Sequence, residues 1–234
     1  MKVAIMQPYF FPYLGYFQLM KISNIFVFYD DVNFIKGGWV NRNRILNSST
    51  PLFINAHIKG SSSNKKINEI GLNLDSKWRR KLLKTLIHSY GRAPFFNEVQ
   101  PFIEMLVMHP AQYISEFNIH ILTETSRQLG LPTVYFTNSE RFEHNMKSGQ
   151  DRVLDICIQL QASTYTNLIN GKSLYRREDF ELNGIDLNFL EMNSDLSYAQ
   201  FGNPFISKLS IIDVLMFNGF SGTQTLLEKY TLIK

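Results

Sequence analysis

The first thirty residues constrain the fold more than any other part of the chain. An apolar run at 2–6 stops at Gln7-Pro8, and a second at 25–29 runs straight into Asp30-Asp31. Both have the length of buried strands, and residues 13–22 between them have the length and apolar periodicity of a helix. A strand, helix, strand unit of about thirty residues sets its two strands parallel, the start of an α/β fold.

The rest of the chain keeps this alternation. Asp75 or Ser76 can cap a helix in which Trp78, Leu82, Leu86 and Tyr90 recur every fourth residue, with Gly91 and Pro94 at its end. Residues 111–129 read as a second long helix closed by Gly130 and Pro132, with a strand at 133–137 after it. Ser148 to Asp151 open another helix that carries Val153, Ile156, Cys157 and Leu160 on one face. Residues 187–190 are strand-like, and 209–217 form a last apolar helix ended by Asn218-Gly219. The expectation is an α/β fold with a mostly parallel sheet, a Rossmann-like strand, helix, strand start and additional helices. The stretch 59–66, KGSSSNKK, has linker composition. A boundary there would leave too little core before it, so residues 1–234 are expected to form a single domain.

Composition narrows the function. Charged residues are only 19% of 234, and the net charge of +4 is spread along the chain, which argues against a dedicated nucleic-acid partner. One cysteine excludes an internal disulfide framework, and five scattered histidines leave no zinc spacing, so no metal site is expected. No run approaches the ~20 apolar residues of a membrane span, and the N-terminal run is too short for a secretory core. These features predict a soluble, cytoplasmic protein without an integral membrane segment.

Short motifs fail where tested. Asn170-Gly171-Lys172-Ser173 ends like a phosphate loop, but Thr166 stands where that loop needs its first glycine. There is no GxGxxG, GxSxG or HExxH. Cys157 sits on an apolar helical stripe, the setting of a buried structural thiol.

The first forty-four residues carry the chemistry. Residues 7–16, QPYFFPYLGY, set five aromatic rings and two prolines between a strand and a helix, the usual ligand position of an α/β sheet. Tyrosine hydroxyls and the Gln7 amide can bind sugar hydroxyls while rings stack on a flat base or an apolar sugar face. The same residues also suit a well-packed hydrophobic turn. Asp30 and Asp31 close the second strand, where a carboxylate pair can supply a base, hold a cation, or cap a turn. The continuation, KGGWVNRNR at 36–44, adds cations and glycine amides suited to a phosphate.

Five longer blocks, in order, resemble a known family: MQPYFFPYLGYFQLM, FYDDVNFIKGGWVNRNRI, LLKTLIHSYGRAPFF, ASTYTNLINGKSLYRREDF and FISKLSIIDVLMFNG. They are similar to the signature blocks of the WbqC-like protein family, nearly end to end. The resemblance implies a place among bacterial surface-polysaccharide (O-antigen) genes and N-acyl or aminoacyl transfer to a nucleotide-linked amino sugar. The matching polar positions it implies as site residues are Gln7, Tyr9, Tyr16, Asp30, Asp31, Lys36, Asn41, Arg42, Tyr90, Tyr175 and Asp213.

Three functions follow as expectations. In the first, an N-acyltransferase uses Asp30 or Asp31 as base for the attacking amine, and Lys36, Asn41 or Arg42 steadies an oxyanion or phosphate. An acyl carrier protein thioester is a candidate donor, with the basic 59–66 loop as its docking surface. In the second, the strand-to-helix turn is that of a nucleotidylyltransferase, although Tyr13 and Tyr16 replace both histidines of the HxGH element. The third is a non-catalytic nucleotide-sugar-binding protein.

Overall fold

The computed structural model describes residues 1–132, 134–136, 139–142, 147–202 and 204–234. The N-terminal unit forms as expected: β1 (Lys2–Met6), α1 (Leu14–Ile22) and β2 (Ile25–Phe28), with β1 and β2 parallel and Val3 opposite Ile25. Then come a hairpin, β3 (Arg42–Asn47) and β4 (Thr50–Asn55), and a short pair, β5 (Ile58–Lys59) and β6 (Gly71–Leu72).

Three helices follow, α2 (Lys77–Tyr90), α3 (Phe96–Met108) and α4 (Ile114–Gln128). The chain then re-enters the sheet through β7 (Val134–Phe136); the ends of the expected 133–137 strand fall outside the described residues. The C-terminal third comprises α5 (Gly149–Gln159), β8 (Thr164–Leu168), α6 (Arg177–Glu181), β9 (Asp186–Met192), α7 (Ile211–Leu226) and β10 (Tyr230–Ile233).

The main sheet runs β10-β9-β8-β1-β2-β7. Every neighbouring pair is parallel except β9 with β10. Successive residues of a strand face opposite sides of the sheet. In β1, Val3 and Ile5 therefore join the core under α5 with Val153, Ile156 and Cys157, while Ala4 joins the larger core with α1, α2, α3, α4 and α7.

The structure differs locally from the sequence reading in two places. The last helix breaks at Gly219 as expected, with φ +63°, ψ −174°, but a second helical segment follows directly and carries α7 on to Leu226; Phe95 packs at the break, within 2.6 Å of where a Cβ would stand. α3 was not read from the sequence; it runs through Pro101 in its second turn, with Val99, Ile103, Leu106 and Val107 buried along one side.

Candidate functional site

From β1 the chain turns through residues 7–13 and α1 to β2 on one side, while β8, on the other side of β1, leaves through residues 169–175. Exit loops that diverge in this way open a crevice at the carboxyl ends of the two strands, the usual ligand position in such sheets. A cavity of about 480 Å³ lies there. Its wall includes Gln7, Tyr9 and Tyr13 from the β1 exit, Tyr29 just past β2, Asn167 near the end of β8, and Asn170 and Tyr175 from the β8 exit. Trp39, Asn43 and Arg44 approach from the hairpin side, Gln150 from the first turn of α5, and Lys208 from the segment before α7.

The 7–13 loop is held by its own backbone. Asn43 Nδ2 donates to the carbonyls of Phe10 (3.0 Å) and Phe11 (2.8 Å), Asn118 Nδ2 to Pro8 (2.8 Å), and Ser210 Oγ to Phe11 (2.8 Å). All three donors are buried, so these bonds form away from competing water. They hold Phe11 at φ +41°, a conformation that a bulky residue adopts only when its surroundings impose it. Phe10, Phe11 and Tyr16 turn into the core, which leaves Tyr9 and Tyr13 on the cavity side.

Four tyrosines line the wall: Tyr9, Tyr13, Tyr29 and Tyr175. Burial raises the pKa of Tyr9, with the Tyr175 charge adding to it. Burial also pushes Tyr13 up to about 12, helped by Tyr9, and Tyr29 up to about 12, helped by Asp31. These hydroxyls stay protonated at neutral pH and act as neutral donors or acceptors. Tyr175 is tied to a buried pair: its Oη lies 3.0 Å from that of Tyr165, and Asn167 Nδ2 donates to both, at 2.8 Å to Tyr165 and 2.9 Å to Tyr175.

The charge is one-sided. Arg44 and Lys208 line the cavity, and among the described residues no carboxylate, imidazole or thiol does. The Arg44 guanidinium stacks over Trp39 at 5.9 Å, and its buried Nε has no hydrogen-bond partner among the described residues. Lys208 sits at φ +56°, a second strained non-glycine backbone at the site. A concave aromatic surface with two cations suits an anion that carries flat or ring-shaped groups.

Of the residues named from sequence, Gln7, Tyr9 and Tyr175 lie in the wall. Tyr16 is buried and donates from its hydroxyl to the Gln7 carbonyl at 2.8 Å, so it supports the loop from behind. Tyr90 and Asp213 meet in the core: Asp213 accepts from Tyr90, Tyr198 and Gln200, each at 2.7 Å, and the Tyr90 hydroxyl accepts from the Leu46 N–H. Arg42 bonds the Gly37 carbonyl and lies 4.8 Å over the Phe53 ring, while Lys36 is exposed and Asn41 is half-buried beside the Ala56 carbonyl. Tyr16, Tyr90, Asp213, Arg42, Lys36 and Asn41 all stand outside the cavity lining.

Asp30 and Asp31 follow Tyr29 at the end of β2, both 4% exposed, outside the lining. Asp31 accepts from Ser139 Oγ and faces Arg152 on α5. The wall residues missed from sequence are Tyr29, Gln150, Asn167 and Lys208, together with Tyr13, Trp39, Asn43 and Arg44 inside the segments already singled out. The signal for the last group was the segment itself; Asn167 and Lys208 lie inside two of the blocks that resemble the family, beside a strand end and a helix start.

An α/β protein with an aromatic, cationic cavity at the switch point of a largely parallel sheet is the class that this geometry defines. The chain belongs to the WbqC-like protein family, whose model matches residues 7–225. It is also 27% identical over 221 residues to the uncharacterized protein Rv1507c of Mycobacterium tuberculosis, covering 93% of each chain. No solved structure matches it. Among the described residues, no helix is long and apolar enough to cross a membrane, and no group of three or more His, Cys, Asp or Glu could hold a metal ion.

Proposed function

We propose that the chain binds a nucleotide-linked amino sugar in the switch-point cavity and supports N-acyl or aminoacyl transfer to its amine, in surface-polysaccharide assembly. The observation that carries the binding part is the lining: Arg44 and Lys208 with no opposing carboxylate among the described residues, set against Trp39 and four tyrosines. Cations match a diphosphate, and rings match a base or the apolar face of a sugar. The transfer part rests on family membership. In it the amine nitrogen bonds the carbonyl carbon of a carrier-protein thioester, the carbon–sulfur bond breaks, and the amine proton leaves with the departing thiolate. The exposed basic segment 59–66 is the docking surface in this reading, and residues 1–234 act as one domain.

A second reading, binding without turnover, is favoured by one observation: no carboxylate, imidazole or thiol faces the cavity among the described residues to take the amine proton. Calorimetry with a nucleoside diphosphate amino sugar and with the free sugar tests the binding, and the nucleotide should bind at least tenfold more tightly. Release of free thiol from an acyl carrier thioester, dependent on that nucleotide, separates transfer from binding alone. Equal affinity for the two ligands would remove the diphosphate from the reading.

A further inference from the structure

The hydroxyl cluster of Tyr165, Asn167 and Tyr175 has a direction that its hydrogen-bond inventory fixes. The side-chain oxygen of Asn167 accepts from the Leu168 backbone N–H at 2.7 Å, and a backbone N–H can only donate. The amide is thereby oriented, and its NH₂ group must face the two tyrosines, one hydrogen to each hydroxyl. Tyr165 and Tyr175 also bond each other at 3.0 Å, and one of them is the donor.

Burial decides which. Tyr165 is fully buried, and among the described residues its hydroxyl has two partners, Asn167, which donates to it, and Tyr175. If Tyr175 donated, the Tyr165 hydrogen would be buried with no acceptor, the arrangement that folded proteins avoid. Tyr165 therefore donates to Tyr175. The Tyr175 oxygen then accepts twice, and its own hydrogen is left to point away from the cluster. Tyr175 is half-buried and lines the same cavity as Tyr9 and Tyr29, so the cavity is where that hydrogen goes.

We infer that Tyr175 is a preset donor in the cavity wall and selects a ligand oxygen that carries lone pairs only, a carbonyl-type or phosphoryl oxygen, rather than an amine or ammonium group. A phenol that accepts two hydrogen bonds is polarised and donates more strongly, since bonds in a chain reinforce one another. Burial raises the Tyr175 pKa while the bonds from Tyr165 and Asn167 pull it down, so the hydroxyl keeps its proton and is sharpened as a donor. On the nucleotide amino-sugar reading, the oxygen is the carbonyl of the acyl group once it has been transferred to the sugar nitrogen, so the hydroxyl holds the product side of the transfer. That identification rests on the reading; the direction of the hydroxyl does not.

Two measurements separate them. Neutron diffraction on deuterium-exchanged crystals should place the Tyr165 deuteron on the line to Tyr175 Oη and the Tyr175 deuteron towards the cavity. A Tyr175 deuteron directed at Tyr165 overturns the inference. Calorimetry with UDP-N-acetylglucosamine and UDP-glucosamine then reads selectivity. Tyr175→Phe should lower affinity for the acetylated probe about tenfold and for the amine probe less than threefold.

Asn167→Asp supplies a carboxylate that takes the Tyr175 hydrogen for itself. It should collapse the ratio between the probes to the Tyr175→Phe level, its added charge acting on both ligands alike. Tyr165→Phe leaves the Tyr175 hydrogen free and should keep most of the ratio, losing only what one of the two polarising bonds supplies. If Tyr165→Phe and Asn167→Asp shift the ratio equally, the cluster is only structural and the inference fails. If the wild type binds neither nucleotide, the nucleotide-sugar reading falls and the deuteron positions alone decide the donor.

Discussion

Arg152 Nη2 lies 3.9 Å from Asp31 Oδ2, and each side chain is only 1% exposed. Asp31 is at the end of β2 and Arg152 near the start of α5, whose first turn supplies Gln150 to the cavity wall. Arg152 also donates to the Ser139 and Phe142 carbonyls and faces Asp155 at 3.7 Å. The carboxylate thus shapes the site by holding a helix. Removing one partner of a buried pair typically costs 3–5 kcal/mol; with Asp155 still beside Arg152, Asp31→Asn should cost about 3 kcal/mol, read as a lower urea midpoint. Asp30→Asn should differ from it in both stability and turnover. Wild-type stability with abolished turnover in Asp31→Asn would instead make Asp31 a reacting group.

Arg44 and Arg42 point from the same face of β3 but two residues apart, roughly 6.5 Å along the strand. That step carries Arg42 beyond the cavity, onto the Gly37 carbonyl and the Phe53 ring. A charge-assisted phosphate contact contributes about 1.5–3 kcal/mol. Arg44→Ala should therefore weaken a nucleoside diphosphate sugar tenfold or more in a calorimetric titration, and Arg42→Ala clearly less. The reverse order would move the anion site to the outer end of the hairpin.

Burial raises the pKa of Asp213, and the bonds from Tyr198, Tyr90 and Gln200 oppose that shift without cancelling it. The native state then holds a proton that the unfolded chain releases. The stability contributed by this group is complete below the ordinary carboxylate pKa of about 4 and is lost as pH rises through the raised value. Melting temperatures between pH 4 and 8 should fall across that window more in the wild type than in Asp213→Asn. Parallel profiles would show that the carboxylate does not titrate there.

Gly219 combines φ +63° with a phenyl carbon of Phe95 only 2.6 Å from where a Cβ would stand. Gly219→Ala should cost on the order of 1–3 kcal/mol in strain and overpacking. Adding Phe95→Leu should relieve the contact but not the dihedral, and so recover only part of the loss in a thermal melt.

Cys157 is fully buried under the sheet, and burial pushes its thiol pKa up, far from the thiolate that a nucleophile needs. Cys157→Ala should leave ligand affinity unchanged and cost about 1 kcal/mol in packing. Rapid alkylation of the folded protein would contradict that burial.

What could be read from the sequence follows from how each element advertises itself. β1, α1 and α2 announce themselves because continuous apolar runs and a four-residue period have few alternative explanations. β8, Thr164–Leu168, did not: its buried residues include Tyr165, Thr166 and Asn167, and the Tyr165 and Asn167 polar groups pair with each other inside, so it read as polar. β3 read as a cationic loop because Arg42, Asn43 and Arg44 make its first half polar, and only the pairing with β4 gives it strand form. At the site, the aromatic segment at 7–16 was legible as the loop leaving a strand's carboxyl end, and it lines the cavity there, but which rings face inward was not legible. That division depends on carbonyl bonds from Asn43, Asn118 and Ser210, which arrive from elements far along the chain.

β1 pairs with β2 about twenty residues on and with β8 about one hundred and sixty residues on, Lys2 lying opposite Thr164. The first pairing closes a short loop and can form early; the second closes a long one and waits for most of the chain. During synthesis, the open edge of β1 is therefore exposed hydrophobic strand until β8 has left the ribosome. The cavity lies on that seam. Ligand-binding competence should accordingly be the last property gained on refolding, in the same kinetic phase as β8 docking, and a chain cut before residue 164 should present a sticky edge in place of a binding site.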